Sequence, residues 1–219
     1  GALLNLDGGV VAILDTVGWT DRTWIRFGQA VGAGPAPFGR TGSGAVGPGG
    51  VATTVGDPFE IDIRDTLGVL RRIVRVQGPE PPLTEADLER FREIVMPSFE
   101  RGPDDARLLD RLLARDALPA TKPAIAALRF DATGNLWVRA YDMSDATEQF
   151  EARTDRAAPI REPNRRWSVI DPDGRLLGDI PLPARFDIHE LGDDWLLGVW
   201  RDSLDVEHVQ LYRLRKPAA

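Results

Sequence analysis

The chain contains no cysteine, which excludes disulfides, thiolate nucleophiles and cysteine-ligated zinc. Histidine is almost as scarce, with two residues, His189 and His208, and they do not form a ligand-spaced pair. No Gly-x-Ser-x-Gly elbow is present, so a serine-hydrolase triad has no nucleophile. No phosphate-cradling G-x-x-x-x-G-K-[S/T] run is present either. Apolar runs stop well short of the roughly 18 to 20 residues that a membrane helix needs, and no signal-peptide pattern is visible. Basic residues are outnumbered, with 27 Lys and Arg against 34 Asp and Glu for a net charge of −7. A surface of that sign repels phosphate backbones, so nucleic acid is not an expected partner.

What is present is 219 residues, 42% hydrophobic and 28% charged, enough to bury the core of one large β domain or two smaller ones. One phrase recurs: an alternating apolar strand, a turn ending in glycine, and a second apolar strand. It reads Leu4-Asn5-Leu6-Asp7-Gly8-Gly9-Val10-Val11 near the start. It returns as Ile61-Asp62-Ile63-Arg64-Asp65-Thr66-Leu67-Gly68-Val69-Leu70, and again as Ser168-Val169-Ile170-Asp171-Pro172-Asp173-Gly174-Arg175-Leu176-Leu177. Repetition of one hairpin marks a stacked or radial architecture, and once the helical segment is set aside the period is about 60 residues. The fold class expected is all-β: a partial β-propeller of about three and a half four-stranded antiparallel blades, with a two-helix insertion.

The best unit has strands over 124–130, 135–141, 166–170 and 176–182. Leu136, Val138 and Ala140 share one face of the second strand, with Trp137, Arg139 and Tyr141 on the other. Proline and glycine in Asp171-Pro172-Asp173-Gly174 suit a tight turn with a positive-φ residue. The last unit offers three strands, over 186–191, 195–200 and 208–214, and ends in a basic tail. Residues 28–56 read as a loop plus two weak strands of the second unit. The organisation expected is therefore 1–78, a partial and a full blade; 79–119, a helical insertion; 120–184, a blade; and 185–219, a final three-stranded blade. The half-unit at 3–6 and 10–14 predicts that an upstream part precedes Gly1, and unpaired blade edges predict association, as in a dimer.

The 79–119 segment switches to helical period. Thr84 with Asp87 is a capping-box variant, and Leu88, Phe91 and Val95 form one apolar stripe. Pro103 suits the first position of a second helix whose buried side is Leu108, Leu109, Leu112 and Leu113. Both stripes are expected to lie on the outer or end face of the β module.

The run Phe130-Asp131-Ala132-Thr133-Gly134-Asn135-Leu136-Trp137-Val138 is similar to the "D-x-x-G-N-L-W-V" turn of NHL-like six-bladed β-propellers of bacteria. The stretch from Trp167 through Leu214 resembles the last two blades of uncharacterised members of that group. The resemblance implies a six-fold ring, of which this chain holds roughly the last three and a half blades, and an extracytoplasmic location. It implies little about activity, because propellers host binders, scaffolds, lyases and lactonases alike.

Candidate chemistry is thin. Strict alternation places His189 with Asp187 and Leu191, opposite Phe186, Ile188 and Glu190; it is a general base by chemistry, but a surface role is the simpler reading. Asp171 and Asp173 imitate the opening of a calcium loop without its remaining ligands, and turn-forming aspartate accounts for them. The six tryptophans are expected to pack between sheets, with one or two, Trp195 among them, at a channel mouth. Lactonase-type propellers draw a central metal site from several blades, and for that Asn135 and Asp187 are the conceivable contributors. The ligand-binding set is thus Asn135, Asp187, His189 and Trp195, with no catalytic residue and no cofactor. The function expected is a non-catalytic binding or scaffold module that engages a protein or small ligand through its end face. The alternative is a metal-dependent lyase or lactonase using calcium.

Overall fold

In the computed structural model the described residues are 2–4, 7, 10–13, 20–27, 30–55, 59–75, 80–98, 103–154 and 166–215. The first repeat's turn at Gly8-Gly9, Trp19 and the basic tail from Lys216 lie outside them. The architecture is mostly β. Two hairpins open the chain, β1 (Ala2–Leu4) with β2 (Val10–Ile13) and β3 (Arg22–Phe27) with β4 (Ala30–Pro35). A first four-stranded sheet follows, from β5 (Ser43–Gly47), β6 (Gly50–Thr54), β7 (Glu60–Arg64) and β8 (Leu70–Arg75). The middle sheet is β9 (Ile125–Phe130), β10 (Leu136–Ala140), β11 (Arg166–Ile170) and β12 (Leu176–Pro181). The last sheet has three strands, β13 (Phe186–Leu191), β14 (Trp195–Arg201) and β15 (Glu207–Arg213). All three are antiparallel meanders in chain order.

Among the described residues three α-helices interrupt the strands: α1 (Glu85–Val95) and α2 (Pro103–Leu112) between β8 and β9, and α3 (Met143–Thr154) between β10 and β11. The sequence reading has two helices and no α3. It also leaves β3 unassigned and reads the residues of β4 as loop.

The same aspartate builds the tight turns. Asp65 Oδ1 accepts the backbone N–H groups of Leu67 and Val69, both at 2.9 Å, and Gly68 takes φ +81°. Asp131 Oδ1 accepts those of Thr133 and Asn135, both at 2.9 Å, with Gly134 at φ +86°. Asp171 Oδ1 accepts that of Arg175 at 2.8 Å, with Gly174 at φ +87°. These are Asx-type turns, in which a short carboxylate replaces a backbone acceptor. A fourth turn hides in the acidic stretch before β15: Asp202 Oδ1 accepts from Leu204 and Val206, and Asp205 takes the positive φ.

The sheets stack face to face. Ala52 and Ile61 of the first sheet meet Ile125, Leu128, Leu136, Val138 and Ile170 of the middle one. The other face of the middle sheet presents Trp137, Trp167 and Val169 to Phe186, Ile188, Leu191 and Leu196 of the last. Alternation along β10 thus sorts its residues into two different cores, as the sequence pattern requires. Between the first and middle sheets the backbones come closest at their first strands, β5 and β9. The last sheet buries one face only: Val209 and Leu211, on the side away from the stack, are 75% and 68% exposed.

The two stripes, expected on the outer or end face of the β module, meet α3 and the β4–β5 connection. They form a third core of their own, in which the Phe91 ring sits edge-on between Phe38 and Phe150 at centroid distances of 5.2 and 5.8 Å. Leu88, Phe91 and Val95 are buried in it, as are Leu109, Leu112 and Leu113, whereas Leu108 is half-buried. Phe38 comes from the β4–β5 connection and Phe150 from α3, so three connections contribute one ring each.

The two ends of the sheets are unlike. Gly47 and Gly49 lie against Phe130, and Ala132 N–H donates to the Leu191 carbonyl at 3.2 Å, which brings the turns of all three sheets to the same end. Tight turns join β5 to β6, β7 to β8, β9 to β10, β11 to β12 and β13 to β14 there. The connections that carry α1, α2, α3 and Phe38 all leave from the opposite end.

Candidate functional site

The four residues singled out in the sequence are split between those ends. Asn135 belongs to the tight-turn end and is buried. Its Nδ2 donates to Asp131 Oδ2 and to Thr133 Oγ1, each at 2.8 Å. Trp137 Nε1 also donates to Asp131 Oδ2, at 3.3 Å. Burial opposes the Asp131 charge, but the hydrogen bonds from Asn135, Thr133 and Trp137 outweigh it and hold the carboxyl below its ordinary value. This cluster fixes a turn, and Asn135 spends both amide protons within it.

Trp195 sits at the same end, half-buried, with its ring so close over Gly192 that a Cβ there would come within 2.2 Å of it. Asp187 starts β13 at the other end, where it pairs with Arg201 at 2.9 Å. Arg201 also holds Glu207 at 2.6 Å. His189 is exposed on a β-bulge, because the register slips between Ile188 and Glu190. The bulge corrects the alternation read from sequence: Leu191 turns inward with Phe186 and Ile188, while His189 and Glu190 both face solvent. Asn135, Asp187, His189 and Trp195 therefore do not converge. Among the described residues no group of three or more His, Cys, Asp or Glu side chains is placed to hold a metal ion.

A cleft of about 250 Å³ lies instead at the helix-bearing end, lined by Phe38, Pro81, Asp87, Lys122, Pro123, Tyr141, Asp142 and Met143. Its geometry follows from how α1 and α3 begin. Thr84 caps α1, accepting from the Asp87 N–H at 3.2 Å, while Asp87 Oδ2 accepts from the Thr84 N–H at 2.9 Å. Asp87 Oδ1 then receives the Lys122 ammonium at 2.7 Å from the entry to β9. Burial opposes the Asp87 charge, and the hydrogen bonds from Lys122 and Thr84 overcome it, so its pKa lies below the ordinary 3.8.

Asp142 caps α3 in the same manner. Its Oδ1 accepts from the backbone N–H and the hydroxyl of Ser144, at 2.8 and 2.5 Å. Its own N–H donates to Asp145 Oδ2 at 2.9 Å. Asp145 forms a two-pronged buried pair with Arg139, at 2.6 and 3.0 Å. Burial works against the Arg139 charge, and Asp145 more than compensates. Tyr141 donates to Gln149 Oε1 at 3.1 Å, and Gln149 Nε2 donates to the Gly39 carbonyl at 2.9 Å, which ties α3 to the β4–β5 connection. Burial, reinforced by Asp145 and Asp142, pushes the Tyr141 phenol well above 10.0, so it stays neutral.

One atom in this constellation is unmatched. Asp142 Oδ2 is buried, and among the described residues it has no hydrogen-bond partner. Sequence reasoning missed the cleft. The one local signal was Asp142-x-x-Asp145, which has the spacing of a capping box but precedes a helix with few apolar residues. Ser144, whose hydroxyl is given to Asp142, is 5% exposed and does not line the cleft.

No protein-family pattern, no curated protein and no solved structure matches this chain. Among the described residues no helix is long and apolar enough to cross a membrane.

Proposed function

We propose that the chain is part of a non-catalytic β-propeller-type binding module, and that it engages its ligand through the helix-bearing end of the sheets. What supports the radial reading is the stacking of successive meanders, with first strands closest at β5 and β9. The resemblance of Asp131-Ala132-Thr133-Gly134-Asn135-Leu136-Trp137 to NHL-like propellers points the same way.

The observation that carries the binding role is the segregation of connections. Tight turns at Asp65, Asp131 and Asp171 occupy one end, and among the described residues the connections that carry α1, α2, α3 and Phe38 leave from the other, where a cleft has both polar and apolar lining. Pockets of that character, with few convergent polar groups, are where small ligands bind. Loops raised on a rigid scaffold are where recognition concentrates.

Fragment screening by heteronuclear NMR tests this on the whole chain. Hits from a chemically mixed library are expected to shift amides of Asp87, Lys122 and Tyr141–Ser144. Hits confined to the tight-turn end would overturn the reading. Stoichiometric calcium in the purified protein, lost on replacing Asp187 or Asn135, would replace it with the metal-dependent lyase or lactonase.

A further inference from the structure

We propose that the chain forms a two-fold dimer by laying the outer face of its last sheet, β13–β15, on the same face of a second copy, with strands antiparallel across the contact. The inference does not depend on the ligand reading of the helix-bearing end.

Alternation sets up the face. Leu196, Trp200 and Tyr212 turn toward the middle sheet, so the odd-numbered residues of β14 and β15 turn away from it. The two strands pair without a slip, Leu197 opposite Leu211 and Val199 opposite Val209. Backbone bonds beyond both ends of this ladder, from the Leu214 N–H to the Asp194 carbonyl and from the Asp202 N–H to the Val206 carbonyl, join even-numbered residues. The odd-numbered pairs are therefore the non-hydrogen-bonded ones, whose side chains stand closest together. Four aliphatic side chains make one contiguous patch, and Val209 and Leu211 leave 75% and 68% of their surface in water.

Charge selects the occupant and its direction. Arg201 faces Glu207 across one end of the patch, and Trp195 faces Arg213 across the other. Along the exposed face β15 thus reads Glu207, Val209, Leu211, Arg213, with an acid at its start and a base at its end. A two-fold axis in the plane of contact, crossing the strands at Gln210, lays β15 antiparallel on its counterpart. Glu207 of each copy then meets Arg213 of the other, and Val209 meets Leu211, so the surface is complementary to itself. An axis along the strands would instead set Arg201 on Arg201 and bring Glu207 onto Asp187, because β13 and β15 flank β14; like charges disfavour it. Existing partners leave room for the pairing. Glu207 engages Arg201 through Oε1, and Arg213 stands 3.9 Å from Asp194 with 85% of its side chain exposed. Asp187 arrives already paired with Arg201. An apolar centre with charged ends is the anatomy of a protein interface. Strands of this length make the face roughly 23 by 14 Å. That is the small end for specific interfaces, so a dimer of about micromolar strength is expected.

Sedimentation velocity on the whole chain, loaded from about 1 μM to 1 mM, should show monomer passing to dimer and no larger species, since a two-fold contact closes on itself. Glu207→Arg and Arg213→Glu each set like charges together at both ends of the contact, and each alone should weaken the dimer by about tenfold or more. Mixed in equal amounts, the two variants should associate as the parent does. The mixed pair sets the new arginine on the new glutamate and keeps Arg213 on Glu207. Leu211→Lys, at a position already exposed, should weaken association likewise while the monomer keeps its melting temperature. A chain that stays monomeric at the highest loading, a dimer indifferent to Leu211→Lys, one that Glu207→Arg tightens, or a mixture no stronger than its components would overturn the proposal. The dilution series on the unaltered chain needs no variant to fold. Fragment binding at the cleft is read separately, and none of these outcomes decides it.

Discussion

The two ends of the sheets solve the same problem, that of turning an antiparallel strand around, in opposite ways. At one end an aspartate and a positive-φ glycine close the chain in a few residues, and Asp65, Asp131 and Asp171 repeat the device in two sheets. At the other end the chain departs for whole helices, where Asp87 completes the capping box of α1 and Asp142 caps α3, while Asp202 closes a tight turn there, between β14 and β15. The contrast shows how one side chain serves architecture or recognition according to what saturates it. Around Asp131 the Asn135, Thr133 and Trp137 donors leave no capacity to spare. At Asp142 half of the carboxylate remains uncommitted.

The sharpest way to break the contrast is to remove the core that holds the helices. Phe91→Ala deletes the ring between Phe38 and Phe150 and is expected to cost about 3–5 kcal/mol, read by chemical denaturation. The cleft amides should lose their shift dispersion while those of β13–β15 keep theirs; loss from both together would show that the ends are not separable.

The tight-turn end is next. Asp131→Ala strands the buried donors of Asn135 and Trp137 and should cost about 1–3 kcal/mol, whereas Asp142→Asn should change stability by a few tenths of a kcal/mol at most. Equal losses would erase the distinction drawn between the two carboxylates. Gly192→Ala pushes a methyl into the Trp195 ring and should also cost about 1–3 kcal/mol, with a visible change in tryptophan fluorescence.

The smallest effect is in pH dependence. Asp131 and Asp87 have folded pKa values below the ordinary 3.8, so below about that pH the unfolded chain binds more protons than the folded one. Their contribution is fully present above the unfolded value and is lost as pH falls through the lowered folded values. Denaturation series across the acid range should therefore show a shallower loss in Asp131→Asn than in the parent, although the variant starts from lower stability at neutral pH.

Much of the β framework was legible because it rests on short-range rules. The strands of the middle sheet follow from alternation bounded by Asp-x-x-Gly turns, those of the last sheet from alternation around Gly192-Asp193-Asp194, and α1 from its capping box and its Leu88, Phe91, Val95 stripe. Elements governed by distant partners were not. Among its described side chains helix α3 buries only Ala146 and Phe150 in the helical core, too sparse a stripe to announce a helix. β4 is Ala30-Val31-Gly32-Ala33-Gly34-Pro35, whose composition reads as loop. The bulge at His189 flips one residue and cannot be seen in an alternating pattern. The cleft eluded sequence reading for a related reason: Phe38, Lys122 and Asp142 come from three connections far apart in the chain, and no local spacing joins them.

The Phe38–Phe91–Phe150 herringbone also carries a consequence for the order of folding. Its three rings are separated by dozens of residues and are delivered by connections whose flanking strands must already be in register. Loop-closure entropy falls due before such long-range contacts return anything. The helical layer is accordingly expected to set last. Refolding monitored at the Phe91 site should lag behind refolding monitored at Trp137, which lies within the early meander.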